Sequence, residues 1–411
     1  MKLSTCLLLF VTLALSSVRV AAQIDSTLLR SAPTDSVRRS LNMDAVFNRS
    51  LMAVGKLPIS IGGYMEGNWE NLGTAGVSDG NQFQFRRVSV FLSSTISPRI
   101  KFMSEIEFEN GAEDIEVEFA ALDFEFDPLL NLRGGMIINP IGGFNQNHDG
   151  PKWEFVDRPI AMTEMLPDTW SNAGFGLYGK KYTDQGMLGY EIYISGGFDD
   201  SIIENSEGKT FLPAATNNPD RFEESANGKP LITGKVAAGN DILGEIGLSY
   251  MGGVYNTYQD EGVIIDAKRR VDVLDIDYNT TLPKIDTRLI GEWAWIFVDV
   301  PPTYSEQFGT EQRGGFLDIV QPLLKGDVFG WSNAVVNVAC RLEYVDWNVG
   351  NFRETGGNIA DDLWSIMPAI SFRPNAESVI RLNYRFQEQR DILGNPAVTT
   401  AGLIFGISTY F

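Results

Sequence analysis

The residues of this sequence that are best suited to a chemical role are charged and occur at every second position of predicted strands. Acidic ones recur within residues 99–109 and basic ones within residues 379–386. Because side chains alternate between the two faces of a strand, each series projects from one face. Charges that line a water-filled passage set its ion preference and orient dipolar solutes, and the simpler alternative is that they only keep a barrel interior wet. The residues that we expect to line such a passage are Arg87, Glu105, Glu107, Glu109, Glu116, Glu118, Arg288, Arg341, Arg381 and Arg385.

A long segment at 139–173 carries a second group of polar side chains. Segments of this length without secondary structure of their own are usually functional, and this one is long enough to fold back into a lumen. We therefore expect an inward-folding constriction loop, with an outward-facing loop as the alternative. Its candidate residues are His148, Asp149, Lys152, Glu154, Asp157 and Arg158.

Sixteen candidate strands follow Pro58, and they must position both groups of side chains. The clearest alternation of apolar and polar residues lies at 99–109, 285–297, 379–386 and 400–411. The second and fourth strands change parity midway, which predicts a β-bulge in each of them.

The lengths of the links distinguish between two kinds of all-β fold. After the second, fourth, sixth, eighth, tenth and fourteenth strands the chain turns within a few residues, and the link near 325–327, after the twelfth, is slightly longer. The links after five odd-numbered strands are long, at about 139–173, 199–229, 252–270, 298–313 and 347–361. A Greek-key sandwich gives no reason for this sorting, whereas an outer-membrane barrel has short periplasmic turns and long extracellular loops. We predict an all-β, transmembrane antiparallel β-barrel of about 16 strands.

The last strand has the alternation that is typical of a membrane-spanning β-strand, with one face for lipid and one for water. Leu403, Phe405, Ile407 and the final Phe411 share one face, while Gly402, Gly406, Ser408 and Tyr410 share the other. We interpret Phe411 as part of the signal through which a C-terminal strand engages the barrel-assembly machinery. Aromatic side chains near the predicted strand ends are typical of membrane girdles: Trp69, Trp293, Trp295, Phe297, Trp331, Tyr344, Trp364, Tyr384, Tyr410 and Phe411.

The N-terminal sequence predicts export. Residues 1–22 have a basic start, an apolar run and a small-residue cleavage site, as in a secretory signal peptide. We expect residues 23–56 to form a mobile periplasmic segment, with a short helix at about 43–53, and residues 57–411 to form the barrel. After Gln23 no apolar run reaches the roughly 18 residues that a membrane helix needs.

Composition excludes several other functions. The net charge of −20 disfavours nucleic acid as a partner. His148 is the only histidine, and Cys340 is the only cysteine beyond the signal, so we expect neither cofactor, nor metal, nor catalysis. Asp272, Asp275 and Asp277 lack the carbonyl-rich loop that calcium prefers, and the polarity of a lumen explains them better.

Several sequence runs together resemble the phosphate-selective porin O and P family, in its Bacteroidetes-type form. They lie at 83–102, 119–135, 139–144, 341–348 and 373–385, with W-E-F-V-D-R-P starting at Trp153. The resemblance implies a sixteen-stranded porin in the outer membrane of a Gram-negative bacterium, a homotrimer that passes small polar or ionic solutes by diffusion. It also implies an anion site lined by arginines and lysines. The acidic residues of the third and fourth strands favour a weak preference for cations instead.

Two other functions remain open at this stage. An outer-membrane hydrolase needs a histidine to activate its nucleophile, and only His148, within a polar turn, is present. A non-conducting adhesin or scaffold would use the long links at 199–229 and 252–270. Conductance in a planar bilayer distinguishes a porin from such a scaffold.

Overall fold

The structure is a computed structural model that describes residues 41–46, 59–111, 113–223, 225, 227–302, 308–352 and 354–411. Alternating apolar and polar residues form sixteen long strands, because an extended chain then has one face for lipid and one for the interior. They are β1 (Ser60–Thr74), β2 (Gln82–Ser97), β3 (Ile100–Glu109), β4 (Asp114–Asp127), β5 (Leu130–Ile138), β6 (Ser171–Thr183), β7 (Gly186–Ser195), β8 (Leu231–Asn240), β9 (Gly244–Val254), β10 (Arg270–Thr281), β11 (Arg288–Val298), β12 (Glu311–Val328), β13 (Trp331–Asp346), β14 (Asp362–Arg373), β15 (Ser378–Gln389) and β16 (Val398–Tyr410).

The sheet closes on itself. Each strand pairs antiparallel with its neighbour in sequence, and β1 pairs with β16 from Tyr64 opposite Tyr410 to Thr74 opposite Thr400. Beyond β16, the backbone of Phe411 exchanges two hydrogen bonds with Gly63. The predicted sixteen-stranded antiparallel barrel is therefore confirmed.

Both strands that were predicted to contain a bulge have one. Glu66 lies opposite Arg87 and Gly67 lies opposite Phe85, so Arg86 is the extra residue of β2. An extra residue reverses the parity that follows it, which explains the change of pattern in β2. In β4 the extra residue is Glu118, which precedes Phe119. The predicted change of parity between Phe119 and Phe124 is therefore wrong, because that stretch is regular and Phe119 is an apolar residue of the inner face, 1% exposed.

The links between strands are sorted as predicted, with short turns at one end of the barrel and long loops at the other. One prediction about the turns is wrong. The link after β12 is not at 325–327, because β12 continues through two irregularities to Val328 and the chain turns at Phe329 and Gly330, both with positive φ.

Helical structure in the described residues is confined to short segments. They are Asn42–Asp44, Asn145–Asn147, Gly150–Lys152, Ala161–Met165, Asp200–Ile202, Leu212–Thr216 and Pro219–Phe222. No helix within the described ranges is both long and apolar enough to cross a membrane. Two very short strand pairings complete the fold: Val77–Ser78 with the end of β1, and Gln259–Asp260 with Val263–Ile264.

The outer face of the barrel is apolar. Leu403, Phe405 and Ile407 of β16 each expose about two fifths of their surface, as do Ile380 and Leu382 of β15. A band of exposed large apolar side chains on the outside of a closed barrel is typical of a surface that faces lipid. Tyr410 is an exception to the predicted aromatic girdles, because it shares the inner face with Ser408 and is buried.

The core lies inside the barrel, and the expectation of a lumen that is wet throughout is wrong. On one side, apolar residues of the loop after β5 pack against apolar inner positions of the wall. We call this contact the apolar sector, and it includes Met162, Met165, Leu166 and Trp170 of the loop with Val273, Ala294, Ile296 and Phe316 of the wall. The wall strands in this sector have apolar side chains on both faces. Those on the inner face are buried against the loop, and those on the outer face are covered by lipid.

Candidate constriction site

The loop between β5 and β6 turns into the barrel immediately after β5. The backbone N–H groups of Gly143 and Phe144 donate to Glu292 of β11, at 2.8 and 2.7 Å. Gly142 has a φ of +66°, and a Cβ at this position would lie 1.7 Å from a carboxylate oxygen of Glu292. A glycine is needed because the chain reverses tightly against a buried carboxylate, which then holds the start of the loop in place.

Residues 150–158, which we call the clamped segment, are held by arginines of the wall. The Nη1 group of Arg381 donates to the carbonyls of Gly150, Trp153 and Phe155, at 3.0, 3.2 and 2.6 Å. Arg341 donates to the carbonyl of Asp157 at 2.7 Å. Irregular backbone inside a protein has carbonyls without partners in a helix or sheet, and the guanidinium groups satisfy them.

The carboxylate of Glu154 is the centre of one ionic contact. It accepts hydrogen bonds from Arg288 at 2.5 Å, from Arg373 at 2.8 Å and from the hydroxyl of Ser371. Burial alone would raise the pKa of Glu154, but the positive charges of Arg373 and Arg288 lower that pKa to about 2. The glutamate is therefore an anion at neutral pH, and it binds the loop to β11 and β14.

Asp157 forms a second ionic contact, and this one reaches water. Its two carboxylate oxygens lie 3.0 Å from Arg86 of β2 and 2.8 Å from Arg385 of β15. The side chains of Arg86, Arg385 and Asp157 are 24%, 16% and 12% exposed. Burial raises the pKa of Asp157, but the two arginines outweigh it and hold the pKa below its ordinary value. The space next to this contact is therefore accessible to solvent.

Close packing accompanies these ionic contacts. Val156 of the clamped segment lies over Gly406 of β16, where a Cβ would be 2.7 Å from a methyl carbon of Val156. The glycine therefore provides the room in which the loop contacts the wall. On the next wall strands, Arg87 bridges Glu66, Glu107 and Glu109 at 3.3, 2.8 and 3.0 Å.

The residues predicted to line the passage all lie on inward-facing positions, but most of them do not face water. Glu105, Glu107, Arg341 and Arg381 are at most 1% exposed. Arg341, for example, makes two 2.7 Å hydrogen bonds to Asp318 of the neighbouring β12. The expectation of a solvated ladder of charges fails here because these groups pair with one another or with the loop. Two further predicted residues, Arg87 and Glu118, are also buried. Three are partly buried, namely Glu109, Arg288 and Arg385, and Glu116 is exposed.

The predicted loop residues are distributed over the two faces of the loop. Glu154 and Asp157 contact the arginines described above, and Arg158 pairs with Asp168 at 2.7 Å. His148, Asp149 and Lys152 lie on the side of the loop that faces β3 and β16.

Several residues that hold the loop are not among those expected from the sequence. Glu66 and Arg373 carry no distinguishing sequence signal beyond the inward parity of their strands. Residues 41–46, which the sequence places in a periplasmic segment, lie among the inner side chains of β6, β9 and β10. Asn42 donates from its backbone to Glu245 and from its side chain to Asp277, while Asp44 contacts Lys180 and Tyr182. The rest of the predicted segment 23–56 and the predicted signal 1–22 lie outside the described residues.

Comparisons with known proteins give few sequence relatives and many structural ones. No family profile matches the chain. A protein of Aquifex aeolicus, described as uncharacterized, is 36% identical over 165 residues, which are 38% of this chain and 36% of that protein. The chain thus matches about a third of the length of that relative.

The solved structures that resemble this chain are outer-membrane proteins. An anion-selective porin from Comamonas acidovorans is 11% identical, with a TM-score of 0.52 over 86% of this chain and 99% of its own. OmpT of Vibrio cholerae is 10% identical, with a TM-score of 0.52 over 87% and 99%. OmpF of Salmonella typhi, solved with daunomycin, is 10% identical, with a TM-score of 0.52 over 86% and 97%. At such identities the similarity is one of fold, and the fold that this chain shares is the barrel of the outer-membrane porins.

Proposed function

We propose that this chain is an outer-membrane porin that passes small hydrophilic solutes or ions by passive diffusion along a path at one side of its interior. The observation that carries the proposal is the row of partly exposed polar groups on inward positions of β1, β2 and β15. It includes Glu70, Gln84, Arg86 and Arg385. Facing this row, the clamped segment contributes Asp157, whereas the opposite side of the barrel is closed by the apolar sector.

The charges along this path favour a weak preference for cations. Each arginine that faces the clamped segment already donates to a carboxylate or a backbone carbonyl, so its charge is largely compensated. Exposed carboxylates, in contrast, lie on an inward strand position at Glu116 and on the loop at Glu164. Uncompensated charges beside a narrow passage dominate the local potential, and here they are negative.

The reversal potential in a salt gradient tests this preference. Reconstituted protein should conduct, and its reversal potential should have the sign of a modestly cation-selective channel. A reversal potential of the opposite sign would instead support the anion or phosphate selectivity that the family resemblance implies. Glu116→Gln, which removes one exposed carboxylate, should move the reversal potential towards zero.

The same proposal includes a cellular location and partners for the protein. We infer export by a signal at 1–22, insertion by the barrel-assembly machinery through β16 and Phe411, and residence in the outer membrane of a Gram-negative bacterium. Phe411 suits this role, because it extends the closing strand and half of its surface is exposed. A homotrimer surrounded by outer-membrane lipid is the assembly that the family resemblance implies.

A non-conducting scaffold is the second candidate, and the apolar sector is the observation that favours it. Apolar packing inside a barrel occupies part of the cross-section through which solutes would pass. Residues 41–46 occupy further interior space near the periplasmic turns. A scaffold of this kind would show no current in a planar bilayer, whereas a porin with a path at one side would show a small one.

A further inference from the structure

Three buried side chains from distant parts of the chain converge between the loop and the wall. His148 and Asp149 belong to the loop, and Glu105 belongs to β3. All three are 0% exposed. The Nε2 atom of His148 lies 3.6 Å from Oε2 of Glu105 and 3.8 Å from Oδ1 of Asp149.

The hydrogen bond on the other side of the imidazole fixes what Nε2 can do. Nδ1 of His148 lies 2.9 Å from the backbone carbonyl oxygen of Asn145, which can only accept a hydrogen bond. The proton of a neutral ring is therefore on Nδ1, and the lone pair of Nε2 points towards the two carboxylates. Within the described residues, Nε2 has no hydrogen-bond partner. A buried lone pair directed towards two carboxylates is an arrangement in which proteins bind a cation.

We propose that this cation is a divalent first-row transition metal of the zinc type, bound by Glu105, His148 and Asp149. The three ligand atoms lie within 4.8 Å of one another. Metal–ligand distances of about 2.0–2.2 Å place the ligands of one ion about 3–4 Å apart, close to the separations seen here. An imidazole together with carboxylates suits zinc and its neighbours better than calcium or magnesium, which prefer oxygen ligands alone.

The surroundings of the three ligands are those of a built metal site. A ligating histidine characteristically donates its second N–H to a carbonyl, as His148 does to Asn145. The other carboxylate oxygen of Asp149 accepts a hydrogen bond from the hydroxyl of Tyr410 at 2.6 Å and lies 3.2 Å from Nζ of Lys152. Such contacts orient the ligands.

A metal in this position would join three elements. It would connect the loop directly to β3 through Glu105, and to β16 through Asp149 and Tyr410. Three protein ligands leave at least one coordination position for water, as in open metal sites. The ion would thereby fasten the loop on the side opposite the Glu154 contact, which is a structural role independent of conduction.

A chain with one histidine makes the test specific, because any imidazole bound to the metal must be His148. The full chain is purified in detergent with a tag that lacks histidine, loaded with Co²⁺ or Zn²⁺ and dialysed. We expect about one metal per chain, and X-ray absorption spectra with one imidazole and oxygen ligands. A metal content far below one per chain would overturn the proposal, as would bound metal without imidazole scattering, because either outcome means that His148 binds no metal.

Two variants give the matched comparison. His148→Asn keeps a donor near the position of Nδ1 but removes Nε2, and Glu164→Gln alters an exposed carboxyl of the same loop. In competition with a chelator, H148N should bind Co²⁺ about 100-fold more weakly or worse, whereas E164Q should equal the wild type. Equal affinity in H148N would contradict the site. If H148N does not fold, the absorption spectrum of the wild-type protein decides the question alone.

Discussion

Two parts of one loop fill the same barrel by different physical means. The clamped segment, 150–158, is held by guanidinium groups that pair with its carboxylates and carbonyls. The following residues, from Ile160 to Trp170, are held by apolar packing against the opposite wall. The difference shows that an inward strand position does not imply water. The polarity of the inward side chains decides whether the loop is bound there by charge or by exclusion of water.

The two contacts should respond differently to conditions. Ionic contacts between partly exposed groups weaken with salt and with protonation of the carboxylates, whereas apolar packing is insensitive to both. Any opening of the loop should therefore begin at the Asp157 contact, where the side chains already reach water. Substitutions can therefore alter the two regions separately.

Removal of both contacts should have the largest effect. Deletion of residues 146–168 takes away the clamped segment and most of the loop side of the apolar sector. We expect single-channel conductance to rise several-fold, because the cross-section of the barrel is then open. Unchanged conductance in a correctly folded deletion variant would refute a constricting role for the loop.

Breaking the buried ionic contact should cost the most stability among single substitutions. Glu154→Gln leaves Arg288 and Arg373 without their shared anion, and loss of one partner of a buried ion pair costs about 3–5 kcal/mol. Chemical unfolding in detergent, followed by tryptophan fluorescence, measures this loss. Glu164→Gln is the control, and its free energy of unfolding should equal that of the wild type. Equal stability of E154Q would show that Glu154 does not hold the loop.

The same contact predicts a pH dependence. The pKa of Glu154 in the folded chain is about 2, below its ordinary value of 4.5. Its stabilisation, about 3 kcal/mol from this shift, is complete above pH 4.5 and is lost as pH falls towards 2. Wild-type stability should decline in that window, and E154Q should decline less. Parallel curves for the two proteins would assign the acid sensitivity to other groups.

The apolar sector should show a smaller effect without pH dependence. Ile296→Val removes one buried methylene group that packs in this sector, which typically costs about 0.5–1.5 kcal/mol. The same loss should be measured at pH 7 and at pH 3, because no charge is involved. A loss that changes between these pH values would mean that the two regions are coupled.

The smallest effect is expected at the hydrated contact. Asp157→Asn keeps the shape of the side chain but releases Arg86 and Arg385 from their shared anion. We expect conductance to change by less than about twofold, and the reversal potential to move towards anion preference, because two positive charges become uncompensated. A shift towards cation preference would contradict the position that we give to the path.

The sequence was sufficient for the architecture, because that depends on local patterns. Alternation gave the strands, link lengths gave the two ends of the barrel, and the parity change near Arg86 gave the bulge of β2. Each of these features repeats or can be read within a few neighbouring residues.

The interior was less predictable, because it depends on contacts between distant residues. Alternation places Arg341 inside but does not show that Asp318 and the carbonyl of Asp157 bind it. A single histidine gave no reason to expect a metal, since Glu105 and Asp149 join it only in the folded barrel. Val273 and Ile296 were assigned no role, although apolar residues at inward positions are the sequence signal for a packed interior.

Accessibility of single cysteines tests the central claim most directly. In a Cys340→Ser background, Gln84→Cys probes the hydrated side and Ala294→Cys probes the apolar sector. A charged, water-soluble methanethiosulfonate should reduce single-channel current through the Q84C protein and leave the A294C protein unchanged. Equal block of both proteins would mean that the barrel is wet throughout, and the absence of current in either protein before labelling would mean that it is closed.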